Sequence, residues 1–349
     1  MPPLPLDKTS PEPLLAVANL RKYFAVKGRT LGGPKPVVQA VDDVSFIIAA
    51  GDTLGIVGES GCGKSTTARL LMHLIKPDAG EVRVNGKPVL HDSSVQLREL
   101  RREMQMVFQD SYASLNPRLT VLDTVAFGPR AHGMLKNKAH DKAHELLSLV
   151  GLEPAQFAPR YPHQLSGGQR QRVNVARALA LEPKLVILDE AVSALDKSIE
   201  AQVLNLLMDL KRELRLTYLF ISHDLNVVQY VSDRVLVMYL GKVAEIGPVE
   251  QIYHRPLHPY TQALLASRTS MDPDIKIEQS PLMGDPPNPV NPPSGCRFRT
   301  RCPLAEAVCA EKEPPLTATT GANDHAVACH LHVPESGHSK ATAPNKSPQ

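Results

Sequence analysis

One stretch constrains this chain more than any other: Gly51-Asp-Thr-Leu-Gly-Ile-Val-Gly58-Glu59-Ser60-Gly61-Cys62-Gly63-Lys64-Ser65-Thr66. An apolar strand pattern over Thr53 to Val57 enters Gly58, and a helical pattern follows from Thr66 to Ile75. Between them lies G-x-x-x-x-G-K-[ST], a phosphate loop in the strand-then-helix context it requires. Gly58, Gly61 and Gly63 carry no Cβ, so successive backbone N–H groups can turn inward onto phosphate oxygens. A helix beginning near Lys64 aims its unpaired N–H groups and positive dipole end at the same anion. Lys64 is expected to reach the β- and γ-phosphates, and the Ser65 hydroxyl to ligate Mg²⁺. The whole loop from Gly58 to Thr66, with Glu59, Ser60 and Cys62, is the expected nucleotide contact; the Cys62 thiol itself is expected to be inert.

The rest of the chain supplies the fold such a loop needs. Strand patterns at Leu14 to Phe24, Val37 to Ala49 and Glu81 to Gly86 come early, the last closing in a hairpin signal at Asn85-Gly86. A charged helix at Leu97 to Glu103 precedes a buried strand at Met104 to Phe108. Between residues 112 and 165 strand signals fade and helical spacing takes over, as at His140 to Val150. The alternation then returns: helix to Leu181, strand Leu185 to Leu188, helix Ser198 to Leu214, strand Thr217 to Ser222, helix Leu225 to Val231, strand Arg234 to Tyr239. This predicts an α/β fold with a mainly parallel sheet, an antiparallel β region and an inserted helical subdomain. Residues 1–13 read as a disordered lead-in, 14–257 as the nucleotide-binding domain, 258–333 as a small Cys-containing extension and 334–349 as a polar tail.

Composition excludes several classes. A net charge of +3 is too balanced to argue for nucleic acid. No apolar run approaches the roughly 18 residues of a membrane span, and the N-terminus lacks a signal-peptide core. The expectation is a cytosolic chain that reaches a membrane only through a partner.

Two further motifs complete a site. Leu185-Val-Ile-Leu-Asp189-Glu190 is an apolar strand ending in two acids. Asp189 is expected to hold Mg²⁺, and Glu190 to polarise the water that attacks the γ-phosphate. Leu165-Ser166-Gly167-Gly168-Gln169 places an N-cap serine and two glycines at a helix start, a second anion site apart from the first.

With these motifs in order, Leu14 to about Pro259 resembles the ATP-binding cassette (ABC) ATPases. The resemblance implies that Gln109 is the Q-loop glutamine contacting Mg²⁺ and that Ser193-Ala194-Leu195-Asp196 is the D-loop at a dimer interface. It implies that His223 touches the γ-phosphate, and that an aromatic residue, Phe24 by register or its neighbour Tyr23, stacks on adenine. Two chains would pack head to tail, with the ATP on one phosphate loop closed over by Ser166-Gly167-Gly168-Gln169 of the other. Ala191 stands where such chains often carry proline, with no loss of activity expected.

Asp110-Ser-Tyr112-Ala-Ser-Leu-Asn-Pro117-Arg118, His258-Pro259-Tyr260-Thr261 and Asn291-Pro-Pro-Ser-Gly-Cys296 resemble the ATPase subunits of dipeptide and oligopeptide importers, and Leu219-Phe-Ile-Ser-His-Asp224 with Tyr112 to Pro117 resembles the second of their two different ATPases. That implies a second ABC ATPase as heterodimer partner, two transmembrane permease subunits and, indirectly, an extracytoplasmic solute-binding protein. The place implied is peripheral, on the cytoplasmic face of the inner membrane. Importers for nickel or glutathione share this wording, and a soluble ABC ATPase acting on nucleic acid or ribosomes is the rival class. Cys296, Cys302, Cys309 and Cys329 fall in the extension, where cytosolic conditions disfavour disulfides. They read either as a metal staple or as four unconnected thiols, since none forms C-x-x-C. Among metals the resemblance implies a structural [4Fe–4S] cluster, with zinc second because His325 and His330 lie near.

Overall fold

A computed structural model of the chain describes residues 12–26, 36–89, 94–268, 284–285, 287–319 and 324–341. Most of the expected lead-in, together with residues 27–35 and 269–283, lies outside these residues.

Two sheets organise the described residues. The first is a four-stranded antiparallel sheet in the order β2-β1-β4-β5. Its long pair is β1 (Leu15–Ala25) and β2 (Val37–Ile48); β1 also pairs with β4 (Ala79–Val84), which carries the short β5 (Lys87–Pro88) at the edge. Asn19 and Asp43 adopt positive φ, and the β1–β2 register slips beside them. These breaks bend two strands too long to lie flat.

The second sheet has eight strands, ordered β11-β12-β10-β9-β3-β8-β7-β6. β3 (Thr53–Val57), β6 (Met104–Val107), β7 (Leu185–Asp189), β8 (Thr217–Ile221) and β9 (Arg234–Tyr239) run parallel. β10 (Lys242–Pro248), β11 (Thr317–Ala318) and β12 (Ala326–Val327) add an antiparallel edge, so the sheet is mixed. Alternation along the parallel strands divides the core. Val186, Leu188, Tyr218, Phe220, Val235 and Val237 face one layer, and Leu185, Ile187, Leu219, Ile221, Leu236 and Met238 face the other.

Helices cover both faces. α1 (Lys64–Leu71) follows β3, and α2 (Ser94–Glu103) precedes β6. The inserted helical subdomain comprises α3 (Val121–Ala131), α4 (Lys136–Leu149) and α5 (Pro154–Phe157), knitted by buried Val121, Val125, Ala139, Ala143 and Leu147. α6 (Gly167–Leu179), α7 (Lys197–Leu214) and α8 (Leu225–Val231) complete the α/β alternation. α9 (Val249–His254), α10 (Pro259–Ala266) and α11 (Ala307–Glu311) belong to the C-terminal part.

That part is seated on the sheet rather than beside it. Glu245 of β10 is fully buried, 0% exposed. Its carboxylate accepts the N–H groups of Leu257 and His258 at 2.8 and 3.0 Å and faces His325 Nε2 at 2.7 Å. Tyr260 and Phe298 enter the main core, and β12 pairs with β10. Residues 334–341, expected to begin a polar tail, pack on the extension: His338 is buried and its Nε2 lies 2.9 Å from the Leu304 carbonyl.

Candidate functional site

The carboxyl ends of the parallel strands deliver the site residues to one cleft of about 480 Å³, lined by Ser60, Gly61, Gly63, Lys64, Ser65, Thr66, Gln109, Glu190 and His223, with Ala40. This is where open parallel sheets place ligands. β3 feeds the phosphate loop. Gly58 has φ +148°, and a Cβ there would meet the Met238 carbonyl oxygen at 2.2 Å; Gly63, φ +108°, would meet that of Ala40 at 2.2 Å. Both positions therefore require glycine for space as well as for conformation. Lys64 is 5% exposed, and its ammonium is held by the carbonyls of Gly58 and Glu59 at 2.7 and 3.1 Å. It is thereby aimed at the loop's own mouth.

The acids sit opposite. The Ser65 hydroxyl donates to Asp189 Oδ1 at 2.8 Å. Burial, reinforced by neighbouring Glu190, pushes the Asp189 carboxyl above its usual range, against the pull of the Ser65 bond. Gln109 Nε2 donates to Glu190 Oε2 at 2.7 Å, and His223 Nδ1 lies 3.6 Å from the same oxygen. Glu190 has φ +47°, an unfavourable region for a non-glycine residue, so its carboxylate is held forward by its surroundings. Ser65, Asp189 and Gln109 present hard oxygen donors on adjoining elements, which fits Mg²⁺.

Ser166 to Gln169 do not line this cleft. The Ser166 hydroxyl accepts the Gln169 N–H at 3.3 Å, while Gln169 Oε1 accepts the Ser166 N–H at 3.0 Å, a reciprocal cap on α6. A Cβ on Gly168 would lie 2.4 Å from Ile199 Cγ2, so the second glycine lets α7 approach α6. Asp196 caps α7, accepting the Ile199 N–H at 3.0 Å, a structural duty beside any role at an interface.

Of the two aromatic candidates, Tyr23 is engaged: its phenol donates to Asp42 Oδ1 at 2.6 Å. Phe24 is 37% exposed. Glu59 and Cys62 belong to the loop but leave the cleft: Cys62 is buried, and the Glu59 carboxylate points toward the extension.

The expected cysteine centre is not formed as a ligand set. Among the described residues, no group of three or more His, Cys, Asp or Glu side chains is arranged to hold a metal ion. His325 is committed to Glu245, and His330 Nε2 faces the Lys312 carbonyl at 2.9 Å. Burial, with the other thiols near, pushes Cys296 up to about 11 and Cys329 to about 12, the neutral thiol form. The sequence reading also missed two contacts to the phosphate loop from the extension, Arg301 and Tyr260: Tyr260 lies in a motif, but nothing in the chain ties it to Glu59, and apart from its charge nothing flags Arg301.

A parallel-sheet phosphate-loop fold with this acid pair and a detached capped-serine motif defines an ATP-binding cassette. Residues 41–193 match the ABC transporter family model, and residues 244–309 match the oligopeptide/dipeptide transporter C-terminal region. The chain is 49% identical to oligopeptide transport ATP-binding protein AppF of Bacillus subtilis, over 92% of this chain and 98% of that protein. It is 48% identical to OppF of Salmonella typhimurium, over 90% and 95%. Among solved structures, cbiO1 from Clostridium perfringens, part of the cbiONQ transporter complex, aligns with TM-score 0.60 and 27% identity over 70% of this chain and 92% of that one. The ATP-binding cassette MJ0796, solved as a dimer in a post-hydrolysis state with ADP and Pi, aligns with TM-score 0.58 and 30% identity over 67% and 98%. The chain belongs to the ABC transporter ATP-binding proteins, and is an ATPase of that family.

Proposed function

We propose that this chain is the ATP-hydrolysing subunit of a peptide importer. The observation that carries the reading is the convergence of Lys64, Ser65, Gln109, Glu190 and His223 on one cleft, in a chain whose C-terminal region matches that of oligopeptide transporters. Lys64 and the loop N–H groups bind the phosphates of ATP. Ser65 and Asp189, with Gln109 beside them, would hold Mg²⁺, which when bound offsets phosphate charge. Glu190 accepts a proton from the attacking water, Gln109 orients its carboxylate, and His223 stands where the γ-phosphate would be sensed. Phe24 is the better adenine platform, because the Tyr23 phenol is already tied to Asp42.

The two anion sites of one chain cannot serve one ATP, since the serine motif lies outside the cleft. Two cassettes arranged head to tail would share each ATP, and hydrolysis would remove the phosphate joining them. The partner is a second, different ATPase, with two permease subunits in the membrane and a solute-binding protein beyond it. The chain's own place in that assembly is peripheral, on the cytoplasmic face; no described helix is long and apolar enough to cross a membrane. Peptide-transport relatives disfavour the nickel, glutathione and nucleic-acid alternatives.

Capture of the chain from gently solubilised membranes tests this. Co-purification of two polytopic proteins and a second cassette is expected; recovery only from the soluble fraction, alone or with ribosomes or DNA, would overturn it. The clustered thiols of the extension remain a separate proposal as a metal staple, [4Fe–4S] before zinc, checked by iron and zinc analysis of anaerobically purified protein.

A further inference from the structure

The phosphate loop is held from behind by the extension, and the contact falls on one residue. Glu59 follows Gly58, and each of its three polar groups is taken. Its N–H donates to the Tyr260 phenol oxygen at 2.9 Å. Its carboxylate receives both arms of the Arg301 guanidinium, at 2.7 and 3.1 Å. Its carbonyl accepts Lys64 Nζ at 3.1 Å. The first two partners belong to the extension, and the third is the lysine that reaches phosphate.

The holding groups are themselves fixed. Tyr260 is fully buried, and the Arg301 side chain is 5% exposed. Arg301 also donates to the Tyr239 hydroxyl at 3.3 Å. Tyr239, Tyr260 and Phe298 form one aromatic cluster, with ring centroids 4.6, 5.3 and 5.4 Å apart. A bidentate fork fixes the angle as well as the position of the carboxylate it grips. A rigid anchor on Glu59 therefore sets where the loop carbonyls, and with them Lys64, can lie.

We infer that Arg301 and Tyr260 are positioning residues for ATP binding, acting through Glu59 to keep the phosphate loop in its binding geometry. The inference rests on the reading of this loop as the ATP site. It deepens that reading by giving the extension a direct part in nucleotide affinity. A purely adhesive role would join the extension to the cassette and leave ATP affinity alone.

The experiment compares wild type with Arg301→Ala, Arg301→Lys, Tyr260→Phe and Glu59→Ala, using a fluorescent ATP analogue, steady-state ATPase kinetics and thermal unfolding. If the released loop keeps its binding geometry about a tenth of the time, apparent Kd and KM rise about tenfold. In the Arg301 and Tyr260 variants kcat at saturating ATP should stay within about twofold, because bound ATP restores the geometry. Lysine at 301 keeps the charge but loses the fork, so it should fall between wild type and alanine. Combining Glu59→Ala with Arg301→Ala should weaken binding no further than either alone. Variants that lower the melting temperature while ATP affinity stays within about twofold of wild type would overturn the inference, as would losses at 59 and 301 that simply add. Arg301→Lys and Tyr260→Phe keep the test open if the alanine variant does not fold. A wild-type chain that binds no ATP would instead sink the reading on which the inference stands.

Discussion

Replacing Glu245 by alanine tests whether the extension is built into the cassette. The carboxylate is 0% exposed and is the acceptor for the Leu257 and His258 N–H groups and the partner of His325 Nε2. Alanine removes the acceptor and leaves three donors without partners in a dry site. Each stranded donor costs about 1–3 kcal/mol, and breaking a buried charged contact on one side costs about 3–5 kcal/mol in all. The penalty falls between α9 and α10 and at β12, so β12 and α10 should loosen before the parallel strands do. Hydrogen exchange read peptide by peptide is the assay: amides at 257–266 and 325–329 should lose protection while those of β3 and β8 keep it. Glutamine, which keeps one acceptor oxygen, should lose about half as much. Alanine within about 0.5 kcal/mol of wild type, with unchanged exchange at 257–266, would refute the argument that this one carboxylate anchors the extension.

Glu190→Gln should still bind ATP but lose turnover by about 10²–10⁴-fold, measured as phosphate release against nucleotide binding; wild-type turnover would remove Glu190 from its role. Gly168→Ala puts a Cβ against Ile199 Cγ2 and should cost about 1–3 kcal/mol in chemical denaturation, with Ile199→Ala in the same chain recovering most of it. His258 is buried and pushed down to about 4, so its folded form stays neutral where the unfolded form, near 6.5, takes a proton. Stability from this group is therefore complete above about pH 6.5 and lost as pH falls toward 4. The loss is about 2 kcal/mol by pH 5, read from denaturation midpoints, and His258→Gln should flatten that part of the profile.

Much of the nucleotide-binding core was legible because it is written locally. The strand at Thr53–Val57 carries no charged residue and runs straight into Gly58, and the helix at Leu225–Val231 is announced by Asp224, whose carboxylate caps it at 2.9 Å. The phosphate loop, Gln109, Glu190 and His223 were legible through motif spacing, since each follows the end of a parallel strand; Ala40, which lines the same cleft from antiparallel β2, was not. β10 was not. Its centre is Glu245, which reads as an exposed charge, and burial is made tolerable by the Leu257 and His258 N–H groups and by His325, far along the chain. The same distance hid Arg301 and Tyr260, because no local period relates them to Glu59. The thiols were readable only as neighbours in sequence: burial holds Cys296 and Cys329 in the neutral form, and among the described residues no three His, Cys, Asp or Glu side chains are arranged to hold a metal ion.

Tyr260 and Phe298 sit in the same apolar core as the strands of the nucleotide fold. This has a consequence for how such a chain can change over generations. A module that shares its interior with its neighbour cannot be shed, shuffled or traded as a cassette in its own right. Deleting residues beyond 257 would bare Tyr239 and strip Glu245 of His258 and His325, leaving the remainder a client for chaperones and proteases. Descent should therefore pass the two parts on as one heritable unit, with variation confined to the stretches that touch neither.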